Sequence, residues 1–275
     1  MRAYKEVPPW QRDAYIVRGY RPLSYSYLQS LYSLLYVHNQ TVNIYTHLCG
    51  FLFFSLTAYQ FSTQLISGYH TVSHKDTVVF SAFFAGVGVC LGFSSAFHTF
   101  SNHSQATCQQ WLVLDFMGII CLIAGSWLPA VYYGFYCQSK ISGLLIISSL
   151  SVMCLVAILV PRFRTPQWRT IRIAMFLALG FLGFFPMVYV AAKLGISQAH
   201  KQTGWGWFLL EAALYISGTA IYARRYPERA WPGVCDIWGS SHQIFHVFVL
   251  LGAWSHFIGI TKAFAYNHNP ATRMC

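Results

Sequence analysis

The stretch TVVFSAFFAGVGVCLGFSSAFHTF, residues 77–100, runs for 24 residues without an aspartate, glutamate, lysine or arginine. An apolar run of roughly 20 residues is what a helix needs to cross a bilayer. Its closing segment, FSSAFHTFSNHS at 93–104, carries Ser94 and His98 four residues apart, hence on one helical face. A polar pair at the end of a membrane-length run gains meaning only from what else lies at its depth.

Working outward, six further runs of spanning length occur near 43–64, 109–133, 141–160, 170–192, 205–224 and 241–264. Composition agrees: 56% of the chain is hydrophobic and 9% charged, against about a quarter charged in soluble domains. The expected fold is an all-α membrane protein, a seven-transmembrane helix bundle whose short connections make neighbours antiparallel. The expected division is an N-terminal segment at 1–42, the bundle at 43–264 and a short tail at 265–275. The net charge of +11 comes from dispersed basic residues. That favours a surface against anionic headgroups over a nucleic-acid partner. Eight cysteines include no CxxC pair, which argues against a disulfide framework. The first residues have no apolar core of signal-peptide type.

Before the first run, residues 24–39 place Tyr25, Leu28, Leu31, Tyr32, Leu35 and Tyr36 at helical spacing, with serines opposite. The pattern predicts an amphipathic helix lying on the membrane surface. Orientation follows from the basic residues. With seven spans and the N-terminus inside, the inner side holds twelve, in 2–21, 162–172 and 224–229. The outer side holds six: Lys75, Lys140, Lys193, Lys201, Lys262 and Arg273. The bias predicts a cytoplasmic N-terminus and a C-terminus outside.

That orientation brings separate residues to one depth near the inner face. His98 ends the second span, Asp115 lies about two turns into the third, and His242 and His246 open the seventh. The last two are four apart and able to grip one ion. Three neutral imidazoles with one open position form a common catalytic zinc arrangement, and zinc brings the pKa of its water towards neutrality. Asp115 is either a fourth ligand or a group that holds the water and serves as general base. Ser94 either donates to a developing oxyanion or bonds its own backbone. Glu211, in the outer half of the sixth span, recurs with Tyr215, Gly218 and Tyr222 on one face. An intramembrane carboxylate is a functional candidate, with His256 in the seventh span as its expected partner. His47 reads as a hydrogen-bond donor at a helix end, and His103 as a solvated loop residue. Pro227 and Pro232 keep the sixth helix from continuing.

These residues sit in longer stretches: GYRP at 19–22, HNQTVNIYTHLCG at 38–50, SSAFHTFSNHS at 94–104, LDFMGI at 114–119, YPERAWPGVCDIWGSSHQIFHVF at 226–248 and AWSHFIG at 253–259. Together they resemble the progestin and adipoQ receptor family, which takes in adiponectin receptors, fungal members implicated in zinc homeostasis and hemolysin III proteins. The resemblance implies a cytoplasmic-side zinc on His98, His242 and His246, with Asp115 reaching it through a water. It also implies a lipid-accessible cavity and, for the adiponectin-receptor branch, ceramidase-type amide hydrolysis. The N-terminal region is short, as in the fungal-type members. The expected partner is a membrane lipid (ceramide, fatty acid or sterol-like ligand), with an extracellular ligand as a further partner. The expected place is a multi-pass position in the plasma membrane or endoplasmic reticulum. Three functions compete: a zinc-dependent lipid amidohydrolase, a receptor or regulator with structural zinc, and a zinc or proton conductor.

Overall fold

The computed structural model describes residues 1–68, 71–136, 151–152, 154–156 and 158–272. No named strand occurs among the described residues; the order is helical throughout, with one isolated bridge between Arg2 and Tyr20. The helices are α1 (Tyr27–Tyr32), α2 (Thr41–Gly68), α3 (His74–Phe100), α4 (Gln105–Gly134), α5 (Arg169–Leu182), α6 (Phe184–Leu194), α7 (Ile196–Thr203), α8 (Trp205–Arg224) and α9 (Ser241–His268). Helices α3, α4 and α9 are long and apolar enough to cross a membrane. The run expected at 141–160 lies largely outside the described residues; 151–152, 154–156 and 158–159 are helical.

The core is a layer of large apolar side chains from several helices, among them Phe83, Leu91, Trp127, Phe208, Phe257 and Phe264. Facing outward, Leu52, Phe53 and Leu56 on α2 and Leu251 and Trp254 on α9 are exposed. Such a belt of exposed apolar side chains suits a lipid environment better than water. Small residues bring α3 and α4 close: a Cβ on Gly118 would lie 2.8 Å from the Cα of Cys90. One turn from each of those positions stand Asp115 and Ser94, so this close approach sets their meeting.

The run expected at 170–192 is not one helix. It breaks into α5 and α6 at Gly183. Pro186 has no N–H to give the carbonyl of Leu182, and a Cβ on Gly183 would fall 1.7 Å from the Trp127 indole. The indole occupies the space a side chain would need. A short helix, α7, fills the connection to α8, where periodicity alone gave no signal.

The amphipathic segment at 24–39 is helical over α1 and a following 3-10 turn, Ser33–Leu35. Its serine face is the buried one: Ser30 bonds Asn102 at 3.0 Å, and Ser33 accepts from Arg21 at 2.8 Å. Its apolar face, with Leu28, Leu31 and Leu35, is exposed. In a water-soluble protein that arrangement would be inverted.

The N-terminal segment packs under the α3 and α9 ends that carry the histidines. Val7, Ile16 and Tyr20 form a small core of their own. The buried Asp236 carboxylate accepts the backbone N–H of Val17 at 3.0 Å and of Arg18 at 3.1 Å. Asp13 pairs with Arg225, the left-handed residue that ends α8.

Candidate metal centre

His98, His242 and His246 converge, each offering one ring nitrogen, and those atoms lie within 4.8 Å of one another. The cluster draws on the last turns of α3 and the first turns of α9, and α2 supplies its support. His98 Nδ1 bonds Gln40 Oε1 at 2.8 Å. His246 Nδ1 bonds the Asn43 carbonyl at 3.1 Å. Both partners are acceptors, so both histidines carry their proton on Nδ1 and leave the Nε2 lone pair free. His98 Nε2 lies 3.2 Å from His242 Nε2. A tetrahedral zinc site with bonds of 2.0–2.1 Å places ligand nitrogens about 3.3–3.4 Å apart. The tautomers and this spacing fit a zinc ion.

The two helix ends are held by buried charge. Arg21, 1% exposed, donates to the carbonyls of His98 at 2.5 Å and Thr99 at 2.8 Å, and to the Ser101 hydroxyl at 3.0 Å. Its guanidinium satisfies carbonyls that the C-terminus of α3 would otherwise leave open. At the start of α9, the Glu228 carboxylate accepts the Ser241 N–H at 2.8 Å and also the Ser241 hydroxyl.

Asp115 and Ser94 share with His242 and His246, and with His47, the wall of one cavity of about 200 Å³. Ser94 on α3 and Asp115 on α4 meet at that wall across the close approach of the two helices. Asp115 is not one of the clustered ligands. The walls are mostly apolar, with Ile119, Phe176 and Val249 among them. Glu211 lines the same cavity further from the histidines and is joined to His256: His256 Nδ1 is 2.8 Å from Glu211 Oε2, and His256 Nε2 is 2.8 Å from the Ser126 carbonyl.

His47 differs from its reading as a hydrogen-bond donor. Its two nitrogens are buried and find no partner among the described residues. Its ring instead stacks on His246, centroids 3.7 Å apart and planes 11° apart. The expectation treated His47 by its place at a helix start; the α2–α9 packing turns it into the bundle. His103 is partly covered, with Nδ1 bonded to Thr107 at 3.1 Å and its ring 4.6 Å from that of Tyr27. The helix α1 docks over it.

Several residues carry no sequence signal of their role. Gln40 and Asn43 are ordinary polar residues near a helix start until the histidines meet them. Arg169 and Arg172, counted only as inner charges, also line the cavity. Arg169 lies 4.1 Å over the Tyr222 ring. At the opposite end of α3, Asp76 is fully buried. It accepts from Tyr133 at 2.8 Å, from His268 at 3.0 Å and from the Ser73 N–H at 2.8 Å. Ser73 and Asp76 form a capping box at the start of α3, which His268 of α9 closes over.

With this geometry established, the comparisons with known proteins agree on a class. Residues 35–257 match the model of the haemolysin-III related family, and the chain belongs to that family, a receptor-like group of membrane proteins. It is 40% identical to the adiponectin receptor protein of Drosophila melanogaster over 96% of this chain and 59% of the relative. It is 40% identical to progestin and adipoQ receptor-like protein 1 of Caenorhabditis elegans over 95% of this chain and 61% of that one. It is 34% identical to the ADIPOR-like receptor IZH2 of Saccharomyces cerevisiae over 97% of this chain and 84% of the relative. The chain thus spans about three-fifths of the length of the fly and worm relatives. It is a multi-pass integral membrane protein.

Proposed function

We propose that this protein is a zinc-dependent membrane hydrolase that cleaves an amide-linked lipid of the ceramide type into sphingoid base and fatty acid. One observation carries the reading: three histidines bring ring nitrogens together, and two of them, His242 and His246, line an apolar cavity with Asp115 and Ser94. His98, His242 and His246 would hold the ion. A bound zinc supplies a Lewis acid for the carbonyl and a lowered pKa for water. Asp115 holds the attacking water, takes its proton on a carboxylate oxygen and passes that proton to the leaving amine nitrogen. Ser94 fixes the Asp115 carboxyl in the orientation for this transfer. The apolar walls hold the hydrocarbon chains and keep bulk water out.

The same reading takes seven spans, an N-terminus on the cytoplasmic side and a C-terminus outside. The distribution of basic residues supports that orientation, and the exposed apolar face of α1 supports a helix lying against headgroups. A link to zinc homeostasis accompanies the resemblance to the fungal members. A second reading, a receptor whose zinc is structural, rests on the receptor names of the fly and yeast relatives.

One set of samples separates the two. Zinc content and ceramide hydrolysis are measured on wild type, His242→Ala and Asp115→Ala. Hydrolysis requires wild type to carry zinc and turn over, His242→Ala to lose both, and Asp115→Ala to keep zinc but lose turnover. Zinc with no turnover in wild type leaves the receptor reading.

A further inference from the structure

The cavity extends well past the histidines. Ser126, Tyr215 and Glu211 lie on the same wall set as Asp115 and His246. Ser126 is eleven residues beyond Asp115 on α4, and His256 is ten beyond His246 on α9. At a rise of 1.5 Å per residue, Ser126 and His256, with the Glu211 that His256 holds, lie about 15–17 Å deeper, and the Tyr215 ring, packed against Gly252 six residues past His246, lies about 9 Å along the way. The two helices start from the same end of the bundle, so the two measures describe one depth.

The group is bound together through His256. Its Nε2 donates to the Ser126 carbonyl at 2.8 Å, which leaves Nδ1 to share one proton with Glu211 Oε2 at 2.8 Å. Around this pair two hydroxyls are left over. Ser126 Oγ and Tyr215 OH are both buried and find no hydrogen-bond partner among the described residues. Ser126 is 4% exposed. Native proteins pair nearly all such groups, because a buried hydroxyl without a partner is costly. Here two of them and a carboxylate line one apolar cavity: Ser126 and Glu211 at the end away from the histidines, and Tyr215 on the approach to it.

We propose that this deep end is a second polar subsite, which takes a hydroxyl carried on the hydrocarbon chain of a lipid about 15 Å from the group held at the histidines. A hydroxyl suits the lining because it both donates and accepts. It donates to Glu211 and accepts from Ser126 Oγ or Tyr215 OH. A plain hydrocarbon chain would leave both hydroxyls unmet. The subsite thereby sets chain selectivity, favouring oxygenated over saturated chains. This inference rests on the reading of the cavity as a lipid site.

The test uses the full chain in detergent, zinc-loaded, with two probes: octadecanoate and 12-hydroxyoctadecanoate. Their dissociation constants are measured by calorimetry on wild type, Ser126→Ala, Tyr215→Phe and the double variant. Each substitution removes one oxygen and little packing, and zinc content and melting temperature confirm that each variant folds. Wild type is expected to bind the hydroxylated chain about three- to tenfold tighter, the value of one buried hydrogen bond. The double variant keeps the Glu211 acceptor and is expected to retain less than half of that preference, with its affinity for octadecanoate unchanged. Equal binding of both probes by wild type overturns the subsite and leaves the lipid cavity standing. A preference undiminished in the double variant also overturns it, because the hydroxyl is then read without Ser126 or Tyr215. Failure of both probes to bind removes the lipid cavity and the subsite with it.

Discussion

His98 Nε2 and His242 Nε2 stand 3.2 Å apart although 144 residues separate them in the chain. Neither helix end reaches that position by itself. The α3 end is held by Arg21 from the N-terminal segment, and the α9 start is held by Glu228 from the loop before it. Asp236, in the same loop, is bonded to the N-terminal segment in turn. The two histidine-bearing ends are thus tied through a polar lattice that lies outside the apolar bundle.

The tautomer of His98 depends on Gln40. Gln40 Oε1 accepts from His98 Nδ1 and also from Asn43 Nδ2, each at 2.8 Å. Gln40→Ala removes that acceptor while leaving all three histidines in place. Zinc affinity, read by competition with a chelator of known strength, is expected to fall about 10–100-fold, the usual cost of losing such a partner. An unchanged affinity would mean that packing alone orients His98.

Arg21 predicts a loss that lysine does not repair. Its fork meets two backbone carbonyls and two hydroxyls, all supplied within the protein. Burial lowers its pKa only to about 10, so it stays charged at neutral pH. Arg21→Ala is expected to cost about 1–3 kcal/mol in stability, because it leaves buried carbonyls without their donor. Arg21→Lys should recover less than half, because an ammonium cannot span the same set. Thermal unfolding in detergent of the three proteins gives the comparison, and full recovery by lysine would refute the geometric part.

His38 gives a pH dependence with a definite sign. It sits just before α2, its Nδ1 accepting the Gln40 N–H at 3.1 Å. Burial, aided by the nearby Arg21 charge, brings its pKa from 6.5 down to about 3. The unfolded chain therefore binds more protons than the folded one between those values, and stability rises with pH across that window. Acidification from about pH 6.5 towards 3 should destabilise wild type more steeply than His38→Gln. Parallel slopes for the two proteins would show that His38 does not contribute.

Much of the architecture was legible because lipid removes options. A bilayer leaves the backbone little choice but helix, so apolar runs at 77–100, 109–133 and 205–224 mark helices that begin and end within a few residues of those bounds. The convergence of His98 and His242 was legible for a related reason, since a strong polar residue at a shared depth stands out against hydrocarbon. What stayed hidden is whatever depends on pairing between distant segments. The need for glycine at 183 follows from an indole 56 residues earlier in the chain, and the stacking of His47 follows from how α2 meets α9. Asp76 gave no signal in the sequence because its partners Tyr133 and His268 lie on other helices.

Glu228 tests whether the loop before α9 aims His242 or merely holds the helix. Its carboxylate caps the first turn through the Ser241 N–H and hydroxyl, where negative charge also meets the positive end of the helix dipole. Glu228→Gln keeps the shape and one acceptor but loses the charge; Glu228→Ala loses everything. Stability is expected to drop by about 0.5–1 kcal/mol for glutamine and by about 1–3 kcal/mol for alanine. His242 directly follows Ser241, so a frayed first turn moves its imidazole away from His98. Zinc affinity should therefore fall in the same order, glutamine first and alanine further. If alanine lowers the melting temperature and zinc affinity holds, the cap serves the helix alone and His242 is placed by its contacts with His98 and Tyr222.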